Sequence, residues 1–197
     1  MDPVVRVSGG LVRGSSRDGV NSFLGIPYAG PAVGGDRYRA PRRVAPWGGE
    51  RDATAPGATA AQSAYPPPMD TVLPSSVAPG DDYLNVSVWA PAEGGSRPVM
   101  VWIHGGAFVR GANSILTYNG SAFARDGVVL VAINYRLGVP GFAVLDGAPT
   151  NLGLRDQIAA LEWVRDNVAA FGGNSDDVTV FGESAGGMSV ATLMACP

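Results

Sequence analysis

The stretch Phe171-Gly-Gly-Asn-Ser-Asp-Asp-Val-Thr-Val-Phe-Gly-Glu-Ser-Ala-Gly-Gly187 decides how this chain is read. Phe171-Gly172-Gly173 reads as a helix stop, because glycine adopts the left-handed conformation past a last turn without strain. Val178–Phe181 is a short apolar run of the length of a buried strand. Gly182-Glu-Ser-Ala-Gly186 then turns that strand into a second helix. A serine in such a Gly-x-Ser-x-Gly bend has its hydroxyl held at the tip of a strained strand-to-helix turn. It also sits at a helix N-terminus, where partial positive charge favours a developing anion. The two glycines are expected to allow positive φ and to let strand and helix pack closely.

The pattern by itself is weak. With 28 glycines and 14 serines in 197 residues, chance supplies about 0.3 matches. The bland reading is a glycine-rich turn with a capping serine. Context favours the nucleophile, Ser184, because an apolar strand stands directly before the motif and small residues directly after it. A second element points the same way. Val99–Ile103 (VMVWI) ends in Trp102-Ile-His-Gly-Gly-Ala-Phe108, a buried strand closed by small residues. Acyl transfer needs backbone N–H groups aimed at the carbonyl oxygen that becomes anionic. Gly106 and Ala107 are assigned that role, with Ala185 as third donor. An alanine serves as well as a third glycine, because the donor is backbone.

His104 is the single histidine. It precedes the serine and lies inside the turn, so it is expected to brace that loop together with Gly105 rather than act as general base. Glu183 either tunes the pocket or fills the variable position. It is not assigned as the catalytic acid, because its side chain leaves the bend on the neighbouring face. Arg155 and Asp156 are expected in surface or helix–loop ion pairs, and Tyr135 and Trp163 in the core.

Outward from these motifs the chain reads as one domain, 1–197. Val4–Val7 and Leu11–Arg13 flank Ser8-Gly9-Gly10 as a hairpin, and Asn21–Ile26 adds a strand. Residues 30–82 are irregular and rich in proline, alanine and glycine, with Tyr65-Pro-Pro-Pro68 as a stiff piece. So long a connection is expected to be a surface loop near a binding site or partly disordered. Tyr83–Trp89 alternates like a strand with one buried face. Val99–Ile103 and Val128–Ile133 are continuous apolar runs expected to be buried on both faces, and Val178–Phe181 is a third. Ser121–Arg125 is a short helix. Over Asn151–Phe171, Leu154, Ile158, Leu161, Val164, Val168 and Phe171 recur at spacings of three and four, which marks a helix. Strands alternating with helices indicate parallel βαβ units in an α/β sandwich.

Composition excludes several chemistries. A net charge of −3 with 16% charged residues gives no electrostatic case for nucleic acid or anionic membranes. All 14 basic residues are arginine, so no lysine-based dyad, Schiff base or phosphate loop can be built. One cysteine (Cys196) and one histidine leave no intrachain disulfide and no zinc cage. No secretory leader and no membrane-spanning run is visible, so a soluble cytoplasmic protein without metal or cofactor is the expectation.

At these residues the chain resembles the type-B carboxylesterase/lipase family, on its bacterial p-nitrobenzyl esterase side. The likeness runs through Phe23-Leu-Gly-Ile-Pro-Tyr-Ala29, Leu84-Asn-Val-Ser-Val-Trp89, Val101-Trp-Ile-His-Gly-Gly106, Asn134-Tyr-Arg-Leu-Gly138, Asn151-Leu-Gly-Leu-Arg-Asp-Gln157 and Phe181-Gly-Glu-Ser-Ala-Gly-Gly187. It covers essentially the whole chain. The resemblance implies the N-terminal portion of an α/β-hydrolase fold, a three-layer sandwich around a mostly parallel sheet. It implies a serine acyl-enzyme mechanism on a small carboxylic ester, with Ser184 acylated and Gly106, Ala107 and Ala185 as oxyanion hole. It implies no particular oligomeric state. Many relatives carry a disulfide-bonded cysteine where this chain has Tyr83, which suits a reducing compartment. In the family the catalytic acid and histidine follow the serine, whereas the 13 residues Ala185–Pro197 hold no His, Asp or Glu. The expectation is therefore a hydrolase portion with little activity alone. The alternatives are a non-catalytic binding or adhesion module and an inactive gene fragment, whose Val178–Phe181 strand would be an unpaired sheet edge.

Overall fold

The computed structural model describes residues 2–196. Its strands are β1 (Val4–Val7), β2 (Gly10–Arg13), β3 (Ser15–Arg17), β4 (Val20–Pro27), β5 (Glu50–Asp52), β6 (Asn85–Pro91), β7 (Arg97–Ile103), β8 (Val129–Ile133) and β9 (Gly173–Gly182). The helices are α1 (Ser121–Arg125), α2 (Gly138–Phe142), α3 (Leu152–Asn167) and α4 (Ala185–Leu193). β1 and β2 form the expected hairpin, with Val4 opposite Arg13, and β5 joins β2 in parallel. The remaining strands form one sheet in the order β3-β4-β6-β8-β7-β9. Parallel pairing is confined to β8–β7 and β7–β9; the N-terminal side of the sheet is antiparallel.

Period-two alternation puts successive side chains on opposite faces of a strand. Val99, Val101, Ile103, Val129, Val131 and Ile133 point to one face and pack under Trp163, Val164, Val168 and Phe171 of α3 and the turn that extends it. Leu130, Ala132 and Trp89 point to the other, with Ala124 and Phe123 of α1. Helices thus cover both faces, which makes three layers. Each fully buried valine or isoleucine contributes about 1.5–3 kcal/mol, so the central strands carry most of this core.

Burial differs from expectation at three strands. β6 is buried on both faces, not one, because it lies between β4 and β8 and under α1. β7 alternates instead: Val99, Val101 and Ile103 are buried while Met100 and Trp102 are half-exposed, since α1 reaches β4, β6 and β8. β9 is not a buried strand but one of the two edge strands of the sheet among the described residues, opposite β3, and Thr179 on it is exposed.

The long helix also inverts part of its expected pattern. Leu154, Ile158 and Leu161 are half-buried, and the fully buried face carries Asp156, Gln157, Ala160, Trp163, Val164 and Asn167. Asp156 is no surface residue. Its carboxylate takes Nε and Nη2 of Arg136 at 2.7 and 2.6 Å and the Arg136 backbone N–H at 3.0 Å, and both side chains are fully buried. Burial pushes this carboxyl up, and the hydrogen bonds and charge of Arg136 pull it down. Nη1 of Arg136 reaches on to the carbonyls of Arg37 and Arg39 at 3.1 and 2.7 Å. Arg155 is exposed and caps the Thr150 carbonyl. Tyr135 and Trp163 are core residues, 0% and 4% exposed.

Residues 30–82 hold only β5 and two single 3₁₀ turns, yet they are tied to the sheet. Asn85 and Asn134 both donate to the Ala58 carbonyl, at 2.9 and 3.2 Å. Tyr83 donates its hydroxyl to Ala32 O at 2.8 Å. The segment runs back across the end of β7, where the candidate site lies.

Candidate active site

β9 reaches Gly182, and the chain reverses into α4 within three residues. Ser184 itself takes φ 53°, ψ −118°. The glycines are absent from the positive-φ positions, so their expected conformational role passes to the serine and their use is steric. A Cβ on Gly186 would fall 2.0 Å from the Ile103 carbonyl oxygen, and one on Gly182 2.6 Å from Gly186 C. Close approach of α4 to the end of β7 is what only glycine permits. Behind the bend, Gln157 of α3 donates to Ser189 Oγ at 3.1 Å, and that hydroxyl donates to the Ala185 carbonyl at 3.0 Å. The first turn of α4 is thereby fastened to α3.

The turn after β7 lies directly against this bend. A Cβ on Gly105 would stand 2.8 Å from Glu183 O and 3.2 Å from Ser184 Cβ. Gly106 and Ala107 both have positive φ, 108° and 56°, which turns their amides out of the strand ladder. Among the described residues, the N–H groups of Gly106, Ala107 and Ala185 have no protein acceptor, and Ser184 Oγ has no side-chain partner. Both pieces border a cleft of about 430 Å³ with Tyr65, Leu73, Val109, Arg110 and Tyr118 in its walls. Three free donors beside an unencumbered hydroxyl form a place where a carbonyl oxygen can take on negative charge.

His104 is 1% exposed and stacks on Tyr135 with ring centroids 4.5 Å apart. Its Nδ1 faces the Gly105 carbonyl at 2.8 Å, so Nδ1 carries the proton and Nε2, buried without a partner, is the free lone pair. Tyr135 donates to the His104 carbonyl at 2.8 Å. Burial lowers the imidazole to about 4, which keeps it neutral at pH 7. No hydrogen bond joins it to Ser184 among the described residues. Glu183 is exposed at the cleft, 3.5 Å from the Tyr118 hydroxyl. Burial, then the Glu183 charge, pushes that phenol up to about 12.

Sequence reasoning placed a loop near the site but not the wall residues Tyr65, Leu73, Arg110 and Tyr118. Their contacts span tens of positions, as in Arg110 over the Tyr65 ring at 4.6 Å, and no local pattern marks them.

A three-layer α/β sandwich whose outer parallel strand turns into a helix through a strained serine, beside a glycine-rich turn, defines an α/β-hydrolase. Comparison narrows the class. The carboxylesterase family model matches residues 1–197. The chain is 48% identical over 206 aligned residues to the para-nitrobenzyl esterase of Bacillus subtilis (strain 168), covering 98% of this chain and 40% of that protein. It is 43% identical to the phenmedipham hydrolase of Pseudarthrobacter oxydans, covering 99% and 40%. A solved PNB esterase structure superimposes with a TM-score of 0.93 at 45% identity, over 100% of this chain and 41% of that one. A carboxylesterase structure from Geobacillus stearothermophilus does so with 0.87 at 43% identity, over 98% and 41%. The chain belongs to the carboxylesterase family, and spans about two-fifths of the length of these relatives.

Proposed function

We propose that these residues supply the nucleophile and the oxyanion hole of a carboxylic ester hydrolase. The observation that carries this is Ser184, held at φ 53° and lining one cleft with Gly106 and Ala107, whose amides, like that of the adjoining Ala185, have no protein acceptor among the described residues. Ser184 Oγ attacks the ester carbonyl carbon, and the carbonyl oxygen becomes an oxyanion bound by the N–H groups of Gly106, Ala107 and Ala185. Collapse of the intermediate expels the alcohol and leaves an acyl-serine, which water cleaves in a second round. Serine needs a base to take its proton. His104 is the one histidine of the sequence and is sealed, weakly basic and committed to the turn. A complete triad therefore needs a histidine other than His104, with an acid to orient it. His104 and Gly105 brace the turn, and Glu183 shapes the field at the cleft mouth.

The substrate is a small carboxylic ester. Tyr65, Tyr118, Leu73, Val109 and Ile115 in the cleft walls suit an apolar or aromatic group beside the carbonyl, in keeping with relatives named for para-nitrobenzyl esters and phenmedipham. Among the described residues no helix is long and apolar enough to cross a membrane. A single cysteine and Tyr83 in place of a second favour a reducing, cytoplasmic setting, and the net charge of −3 speaks against a nucleic-acid partner.

A fluorophosphonate is the direct test. In a polypeptide that carries these residues together with a base, wild type is expected to gain the phosphonyl mass on the peptide holding Ser184, and Ser184→Ala to gain none. Equal labelling of both would sink the proposal. Residues 1–197 alone should hydrolyse an activated ester within a few-fold of Ser184→Ala, because losing the base costs about 10⁴–10⁶ in comparable triads. Robust turnover by these residues would bring His104 back as base.

A further inference from the structure

The turn that carries Gly106 and Ala107 is held from outside by one side chain. Gln62, in the irregular segment, pairs its amide with both polar groups of Gly111: Nε2 donates to Gly111 O at 2.9 Å, and Gly111 N–H donates to Oε1 at 2.7 Å. The pairing is complementary, so the amide has one orientation. The peptide unit whose N–H it grips is Arg110–Gly111, and the carbonyl of that same unit lies against Gly106. A Cβ on Gly106 would stand 2.1 Å from Arg110 O. Gly106 O in turn accepts from Val109 N and Arg110 N, both at 3.1 Å. On its other side Gly111 lies on the brace, since a Cβ there would fall 2.4 Å from both His104 Nδ1 and Gly105 O. Backbone packed this tightly moves as a unit.

Gln62 is itself well anchored. Four residues upstream, Ala58 O accepts from the buried Asn85 and Asn134, and Thr59 N–H donates to Ala78 O at 2.9 Å. Gln62 Nε2 also donates to Ala60 O at 3.2 Å. A strut therefore runs from the ends of β6 and β8, through Ala58 and Gln62, to the peptide that backs Gly106.

We infer that Gln62 is a positioning residue of the oxyanion hole, fixing the Arg110–Gly111 peptide and through it the amides of Gly106 and Ala107. The inference rests on reading those amides as oxyanion donors. Losing one such donor costs about 10²–10³ in rate, so displacing two slightly is expected to cost about tenfold to a hundredfold. Gln62→Leu removes both hydrogen bonds at similar volume. Gln62→Glu offers a rescue: a protonated carboxyl again presents one acceptor and one donor, whereas the carboxylate sets a negative charge against Gly111 O. His104, lowered to about 4, stays mostly neutral between pH 8 and 5, and the Arg110 guanidinium lies over the Tyr65 ring.

Two measurements test this: hydrogen exchange on residues 1–197, and fluorophosphonate labelling on a polypeptide that joins these residues to a base for Ser184. In hydrogen exchange, the 104–111 segment of Gln62→Leu should exchange at least about tenfold faster than in wild type. In fluorophosphonate labelling, the maximal rate at Ser184 should fall about tenfold to a hundredfold with the reagent's apparent affinity unchanged. The rate of Gln62→Glu relative to wild type should rise as pH falls from 8 to 5, and that of Gln62→Leu should stay flat. General destabilisation would speed exchange over the whole chain, whereas the positioning role confines the change to 104–111. Wild-type labelling rate and exchange in Gln62→Leu would overturn the inference. Where Ser184→Ala labels as well as wild type, the esterase reading fails instead, and the exchange of 104–111 alone decides whether Gln62 holds the turn.

Discussion

Ser184 stores backbone strain in a residue that has a Cβ. A non-glycine held in a sparsely populated region costs about 1–3 kcal/mol, and here the surrounding contacts hold it: α4 pressed against Ile103 O, and Ser189 fastening the first turn. Gly186→Ala pushes a methyl into backbone that has no rotamer to yield. We expect it to cost about 2–4 kcal/mol in urea unfolding and to abolish labelling of Ser184. Gly187→Ala meets Gly182 O at 3.2 Å, a tight contact but no overlap, and should cost clearly less than Gly186→Ala. Equal effects of the two would show that the bend is not packed as described. His104 gives a pH signature. Its folded pKa of about 4 lies below the unfolded value of about 6.5, so the unfolded chain binds the proton more tightly. Its contribution is complete above about pH 6.5 and is lost as pH falls towards 4, by up to about 3 kcal/mol. His104→Gln, which cannot titrate, should flatten that part of the stability profile.

Among the elements, α3 has the least expected inner face. Asp156 binds Arg136 just beyond β8, and Arg136 binds the Arg37 and Arg39 carbonyls, so one ion pair joins sheet, helix and the irregular segment. A buried pair adds little net stability over an apolar substitute, but removing one partner strands the other charge. Asp156→Ala is therefore predicted to cost about 3–5 kcal/mol by urea unfolding, and Asp156→Leu with Arg136→Met to recover part of that. A double variant no better than the single would place the cost in the carbonyl contacts to Arg37 and Arg39 rather than in the stranded charge. The elements best foreseen are those whose signal is local. Ser121–Arg125 is a helix with those bounds, and the long helix, α only to Asn167, continues as a 3₁₀ turn over Val168–Phe171 that stops at Gly172, whose φ is +80°.

For the molecule as a whole, β9 is decisive. It bears the bend at one end and is one of the two edge strands of the sheet among the described residues. An outer strand exposes unpaired N–H and C=O groups that invite pairing with another chain. Residues 1–197 in isolation should accordingly self-associate with rising concentration in sedimentation velocity, and Thr179→Lys on the exposed side should reduce this. A monodisperse monomer across the accessible range would count against it. Beyond β9, the site depends on contacts between segments far apart in sequence: the bend, the turn after β7, and the loop carrying Gln62 and Tyr65.

The amino-acid sequence by itself determined the main strands and the long helix in their order, though not β3, β5 or α2, together with the bend at Ser184, the small-residue turn at 104–107 and the family. These are written in spacings within a few residues, where backbone sterics and hydrophobic period act directly. Only the tertiary structure decided which strands are covered on both faces, since burial depends on what packs above each one. It alone showed that Asp156 is buried with Arg136, that Ser184 rather than its glycines takes the positive φ, and that Gln62 reaches Gly111. The Asp156–Arg136 and Gln62–Gly111 pairings join residues 20 and 49 positions apart, and nothing along the chain records such a distance.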